Sequence, residues 1–103
     1  MSTVRRETEA AFQRRVFAYL KKRGGFWVKF NAGPFGVVGV PDILGCYQGY
    51  FVAFELKQPN RYSDPKKGLT DAQARMGEQI IAVGGMWACV DSIEAIGAVL
   101  DAV

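Results

Sequence analysis

An α/β sandwich on a mixed four-stranded sheet flanked by helices is the fold class this sequence predicts, and three observations carry it. Short β-rich runs at 26–30, 42–47, 50–57 and 86–90 alternate with longer segments whose apolar residues recur at helical spacing. Two of the runs are joined by Gln48-Gly49, which suits a two-residue hairpin connection. A strand, helix, strand sequence between residues 51 and 90 implies a parallel crossover. The expected order is helix, three strands, helix, strand, helix, in a single domain spanning 1–103.

The first helix is expected over 4–23, where Phe12, Val16, Tyr19 and Leu20 share a stripe and Gly24-Gly25 ends the segment. Residues 26–30 form the first strand, with Phe26, Val28 and Phe30 on one face. Residues 31–39 hold three glycines and Pro34, and read as a substrate-facing loop without the Lys-Ser/Thr pattern of a nucleotide-binding P-loop. Pro41 then stands at the mouth of the second strand, a tolerated position for proline.

In the third strand Val52, Phe54 and Leu56 form an apolar face, while Phe51, Ala53, Glu55 and Lys57 turn from apolar to charged. Residues 59–68 make a polar loop. Thr70-Asp71-Ala72-Gln73 matches a capping box, so a second helix starts there, runs through Met76, Ile80 and Val83, and stops at Gly84-Gly85. The run 86–90 is wholly apolar and suits an interior strand. Asp91 or Ser92 caps a last helix with an Ile93, Ile96, Val99, Leu100 and Val103 stripe.

Composition narrows the chemistry. Half of the 103 residues are hydrophobic and 22% are charged, which excludes a disordered chain. No apolar run approaches the ~20 residues of a membrane span and no signal-peptide core follows the charged N-terminus, so an intracellular, cytoplasmic protein is expected, with no membrane partner. There is no histidine, and the two cysteines lie on separate strands. That removes Cys/His zinc sites and histidine-based nucleophilic catalysis, leaving carboxylates, lysine and metal for any hydrolytic work.

Charge is unevenly spread. Through Arg23 the balance is +5, and beyond Arg75 it is −4, within a net +3. A positive N-terminal half suits a polyanion partner. Arg5, Arg6, Arg14 and Arg15 there, with Arg61, Lys66 and Lys67 in the polar loop beside Tyr62, are the candidate contacts to a nucleic-acid backbone.

Three charges on the central hairpin have no packing explanation: Asp42, Glu55 and Lys57. Asp42 lies five residues before Tyr47 and Glu55 five after Tyr50, so a two-residue turn at Gln48-Gly49 sets the carboxylates directly opposite each other. At about 5 Å and an effective dielectric of about 20 their repulsion is roughly 3 kcal/mol. Either a cation sits between them or one keeps its proton. Lys57 falls on the face of Glu55 but supplies only one positive charge. A divalent ion balances both, and Mg²⁺ is the hard cation commonly held by one or two carboxylates with phosphate and water. Relief of this repulsion implies that Asp42→Ala should not destabilise the metal-free protein.

Glu9, three residues before Phe12, is expected on the same inward stripe. It is either a first-turn acid favoured by the helix dipole or a third acid of the metal site.

Pro41-Asp42 and Glu55-Leu56-Lys57, in an αβββαβ order, resemble the PD-(D/E)XK nuclease superfamily with its restriction-endonuclease-like core. The Gly39-Val40-Pro41-Asp42 form, the leading helix with Glu9, and Gln73 opening the next helix are similar to its small VRR-NUC branch, whose stand-alone members occur in phages, which implies the cytoplasm of a bacterial or phage-infected cell. The Val-Arg-Arg tripeptide that names the branch is not near the hairpin; Val4-Arg5-Arg6 stands elsewhere. The resemblance implies that Asp42, Glu55 and the Leu56 carbonyl hold Mg²⁺ or Mn²⁺, with Glu9 joining directly or through water. Lys57 then positions the attacking water or neutralises phosphate charge, and Gln73 holds Lys57 or the substrate.

The implied activity is metal-dependent cleavage of DNA, in branched or structured forms such as Holliday junctions, by a homodimer whose contact surface includes the apolar C-terminal helix. No nucleotide cofactor is implied. A nickase or restriction-like nuclease, and an inactive DNA-binding or replication-accessory module, are the alternatives.

Overall fold

The computed structural model describes residues 5–31 and 36–103. Helix α1 (Glu9–Arg23) leads into strands β1 (Phe26–Lys29), β2 (Ile43–Tyr47) and β3 (Tyr50–Leu56); helix α2 (Asp71–Ala82), strand β4 (Met86–Val90) and helix α3 (Ile93–Asp101) follow. The strands lie in the order β1-β2-β3-β4, with β1, β2 and β3 antiparallel and β4 parallel to β3. The mixed sheet and the element order match the expectation.

The hairpin register is the expected one. Tyr47 faces Tyr50 and Ile43 faces Phe54, and both turn residues have positive φ, Gln48 at 49° and Gly49 at 86°. Two positive φ values in a two-residue loop are the signature of the turn whose twist matches paired strands. A non-glycine residue accepts the left-handed region at Gln48 so that no extra residue enters the turn.

One sheet face carries the main core. Phe12, Val16 and Leu20 of α1 and Ile96 and Leu100 of α3 pack on Ile43, Val52, Phe54, Leu56 and Val90. Ring contacts from Trp27 to Tyr47 and Phe54 extend it under β1. Helix α2 covers part of the opposite face, where Gly77 lies against the Trp87 ring.

Three boundaries or placements depart from the sequence reading, and the structure decides which way the Phe26 face of β1 points. Helix α1 begins at Glu9 because Thr8 caps it, its side chain accepting from the Ala11 N–H at 3.1 Å. The face of β1 bearing Phe26 and Val28 points away from the core, leaving them 67% and 42% exposed. Strand β4 is an edge strand, pairing only with β3 among the described residues. Its apolar character reflects helices on both of its faces. Within the polar loop, Asp64 accepts from the Lys66 N–H and starts a short 3₁₀ turn at Pro65–Gly68. Of the 31–39 loop, 32–35 lie outside the described residues.

Gly45 leaves no room for a side chain: a Cβ there would strike the Phe26 carbonyl and the Trp27 ring. Gly45→Ala is therefore expected to cost about 1–3 kcal/mol by overpacking. Urea unfolding followed by tryptophan fluorescence measures it, and an unchanged midpoint would contradict this packing.

Candidate metal-binding active site

The site lies on the sheet face that α2 partly covers, at the end where β2 begins and β3 finishes. Asp42 is one residue before the β2 ladder and continues its register, since Ile43 pairs with Phe54. The Phe30 N–H donates to the Asp42 carbonyl at 2.9 Å, and the Lys57 N–H donates to the Val90 carbonyl at 2.9 Å. Both residues are thereby held by ladder bonds just beyond their strands, which fixes where their side chains emerge.

Glu55 is 3% exposed, the buried charged residue among the described residues. Its Oε1 lies 3.8 Å from Lys57 Nζ, while its Oε2 is buried without a hydrogen-bond partner among the described residues. Burial pushes the Glu55 carboxyl up to about 8, and the facing Asp42 charge adds to the rise; Lys57 acts in the opposite direction. The two remedies expected for opposed carboxylates, a retained proton or a cation, are thus both open to Glu55.

Asp42 has a second bond that the sequence did not announce. Its Oδ2 accepts from the Leu56 N–H at 2.7 Å. The carboxylate reaches across the strand pair and satisfies a main-chain donor beside Glu55. Loss of that acceptor costs ~1–3 kcal/mol if the donor is left buried and unpaired, comparable to the repulsion relieved. The expectation that Asp42→Ala would be harmless to the metal-free fold therefore needs correction: the side chain repels and supports at once.

Lys57 is anchored from α2. Its Nζ donates to Gln73 Oε1 at 3.1 Å, and the same oxygen accepts from the Thr70 N–H at 2.9 Å, while the Gln73 N–H donates to Thr70 Oγ1 at 3.1 Å. The capping box is complete, so the structural and the lysine-holding readings of Gln73 coexist. Gly39 presses the preceding loop onto this first turn, at φ 88°, where a Cβ would meet the Ala72 carbonyl oxygen at 2.5 Å. Sequence reasoning gave Gly39 no positioning role; its place two residues before Pro41 was the available signal.

Glu9 is not gathered with the carboxylate pair. It is exposed, at the first position of α1, and shares a cavity of about 260 Å³ with Thr8, Lys57, Gln58, Arg61 and Tyr62. The inward placement expected from its spacing fails because Thr8 starts the helix only there, where the first turn is still turned to solvent. The segment before α1 is nevertheless tied to the site, since Gln58 Nε2 donates to the Glu7 carbonyl at 3.3 Å.

Among the described residues no three of His, Cys, Asp and Glu converge as a metal cluster. Two carboxylates with an unpartnered oxygen fit a hard divalent cation that completes its shell with carbonyl oxygen, water and phosphate. They do not fit a closed all-protein site.

The candidate nucleic-acid contacts divide. Arg15 is engaged by Glu7, with Nη2 at 2.7 Å from Oε1 and Nε at 3.0 Å from Oε2. That fork removes it from the free cations. Arg61 borders the Lys57 cavity and lies over the Tyr62 ring at 5.4 Å. Lys66 and Lys67 are exposed on the 3₁₀ turn, and Lys67 donates to Ser63. Arg5, Arg6 and Arg14 are exposed.

The fold is that of a VRR-NUC domain. A solved structure described as a VRR_NUC domain matches with a TM-score of 0.68 and 19% identity, covering 90% of this chain and 94% of that one. No family model matches the sequence, and no curated protein matches it.

Glu55 makes stability depend on pH. Its carboxyl is raised from 4.5 to about 8, so the metal-free native state binds the proton more tightly than the unfolded chain. This contribution is complete below 4.5 and is lost as pH rises through about 8. Urea unfolding in EDTA between pH 4 and 9 is expected to show that decline, and Glu55→Gln to flatten it. In the same measurement at pH 8, Asp42→Asn should exceed wild type in stability and Asp42→Ala should not, because asparagine keeps an acceptor for the Leu56 N–H.

Proposed function

We propose that this chain is a divalent-metal-dependent endonuclease that hydrolyses DNA phosphodiester bonds. The observation that supports it most is the buried Glu55, opposite Asp42 with one oxygen unpartnered, on a fold shared with a VRR-NUC domain. A pair so placed costs stability in the absence of a cation, and Lys57 alone does not offset it.

Asp42 and Glu55, with the Leu56 carbonyl, are the residues that would hold Mg²⁺ or Mn²⁺. A bound ion would supply Lewis-acid activation of the phosphate and of the attacking water, and would stabilise the leaving oxygen. Lys57 projects its ammonium beside Glu55 and stabilises negative charge developing on the phosphate. Gln73 holds that ammonium from the α2 cap, so the lysine stays close to one position as the substrate arrives. Arg61, on the rim of the same cavity, contacts the DNA backbone.

Branched DNA such as a Holliday junction is the substrate we assign, cut by a homodimer, because one chain carries one site and a symmetric junction needs two cuts. The C-terminal helix does not supply the dimer surface: Ile96 and Leu100 are buried within the chain. The outer face of β1 to β3, where Phe26, Val28 and Phe51 are exposed, is the apolar surface that suits a second copy.

Incubation with a four-way junction, a flap and a linear duplex, in Mg²⁺, Mn²⁺ or EDTA, tests the proposal. Junction cleavage that needs metal is the expected result; cleavage in EDTA would refute the metal mechanism, and binding without cleavage of any DNA would leave an accessory module. Asp42→Ala should abolish cleavage and retain binding, and Lys57→Ala should lower kcat by about 10²–10³. Sedimentation equilibrium should give twice the 11.3 kDa chain mass, and Phe26→Glu with Phe51→Glu should return it to the monomer.

A further inference from the structure

Helix α1 and strand β1 enclose a groove of about 430 Å³ lined by Ala10, Gln13, Arg14, Phe17, Lys21 and Lys29 among others. Three cations from two different elements face it, and none of its lining residues is acidic. Of the other basic residues of α1, Arg15 pairs with Glu7, Arg23 engages Asp101 and the hydroxyls of Tyr19 and Tyr47, and Lys22 lines a separate concavity beside Tyr19 and Ile93. Arg14, Lys21 and Lys29 make no ion pair among the described residues. Like charges converging on a concavity repel one another, and a polyanion relieves that repulsion.

The groove starts at the catalytic end. Lys29 pairs with Ile43, the residue after Asp42, and Ala10 follows Glu9, which shares the cavity of Lys57 and Arg61. From Ala10 to Lys21 the helix rises ~16 Å, the axial length of about five base pairs. Phe17, half-buried against the core, gives the groove an apolar side against which sugars can pack.

We infer that this groove is a second DNA-contact site, binding the phosphate backbone of a duplex arm that leaves the cleavage site, through Arg14, Lys21 and Lys29. The inference rests on the nuclease reading for the identity of the polyanion. Arg14 already stands among the cations expected on DNA from the sequence; Lys21, Lys29 and the groove that unites them come from the fold.

Its test is binding rather than cleavage. Fluorescence anisotropy in EDTA follows a labelled 20-bp duplex, and separately one of its single strands, between 50 and 200 mM salt, for wild type and for Arg14→Gln/Lys21→Gln/Lys29→Gln. The triple variant is expected to bind more weakly, with a log K against log salt slope shallower by about 2.7, since each duplex phosphate contact contributes about 0.9. Lys22→Gln/Arg75→Gln, which removes charge outside the groove, should change the slope by less per charge. An equal change per charge, or an unchanged slope in the triple variant, overturns the groove. A loss confined to single-stranded DNA overturns the duplex assignment. All three side chains are exposed, so the thermal midpoint should hold; if it falls, the summed slope changes of the three single variants carry the test. Absence of metal-dependent cleavage by the wild type would count against the nuclease reading, whereas an unaltered slope beside normal cleavage would count against the groove alone.

Discussion

The opposition of Asp42 and Glu55 across the central hairpin is the constraint around which the rest of this molecule is arranged. Two carboxylates at facing positions are unfavourable, and burying one of them is more so. The fold tolerates the pair because its other charges and donors are arranged to limit the cost. Lys57 stands beside Glu55, the Leu56 N–H is donated to Asp42, and burial drives the Glu55 carboxyl toward its neutral form. What remains unanswered is one buried oxygen, Glu55 Oε2, which has no hydrogen-bond partner among the described residues.

Helix capping and the holding of the Lys57 ammonium are combined in one side chain. Gln73 Oε1 receives both the N-cap amide of α2 and the ammonium of Lys57. Helix α2 is itself set against the sheet by Gly77 on Trp87 and against the preceding loop by Gly39. The lysine is therefore located by a chain of contacts that ends in ordinary packing, and its precision comes from the rigidity of a helix terminus and not from charge attraction alone.

The hairpin was legible in the sequence because period-two alternation and a two-residue turn leave a single register to choose. The charges then acquired partners by counting alone. Less legible were features that depend on where elements meet. The outward face of β1 has the same alternating pattern as an inward one, and only the Trp27 contacts decide between them. Glu9 obeys the spacing of the inward stripe, yet a helix that starts at Thr8 leaves its first residue in solvent. The apolar run of β4 reads as a central strand, although helices on both faces make an edge strand just as apolar. Arg14 and Arg15 are adjacent in sequence and indistinguishable by composition; Glu7 takes one and leaves the other.

The turn at Gln48-Gly49 touches none of the chemistry, yet heredity is least free there. Insertion of a single codon between Tyr47 and Tyr50 would rotate one strand's whole side-chain set to the opposite surface, sending either Asp42 or Glu55 into the apolar core beneath α1 and α3. A point substitution at either carboxylate alters one side chain; a one-residue length change in the turn at the far end of the hairpin would break the carboxylate pairing and the core together. Descent of this domain is therefore expected to conserve the spacing of the hairpin more strictly than the identity of most residues within it.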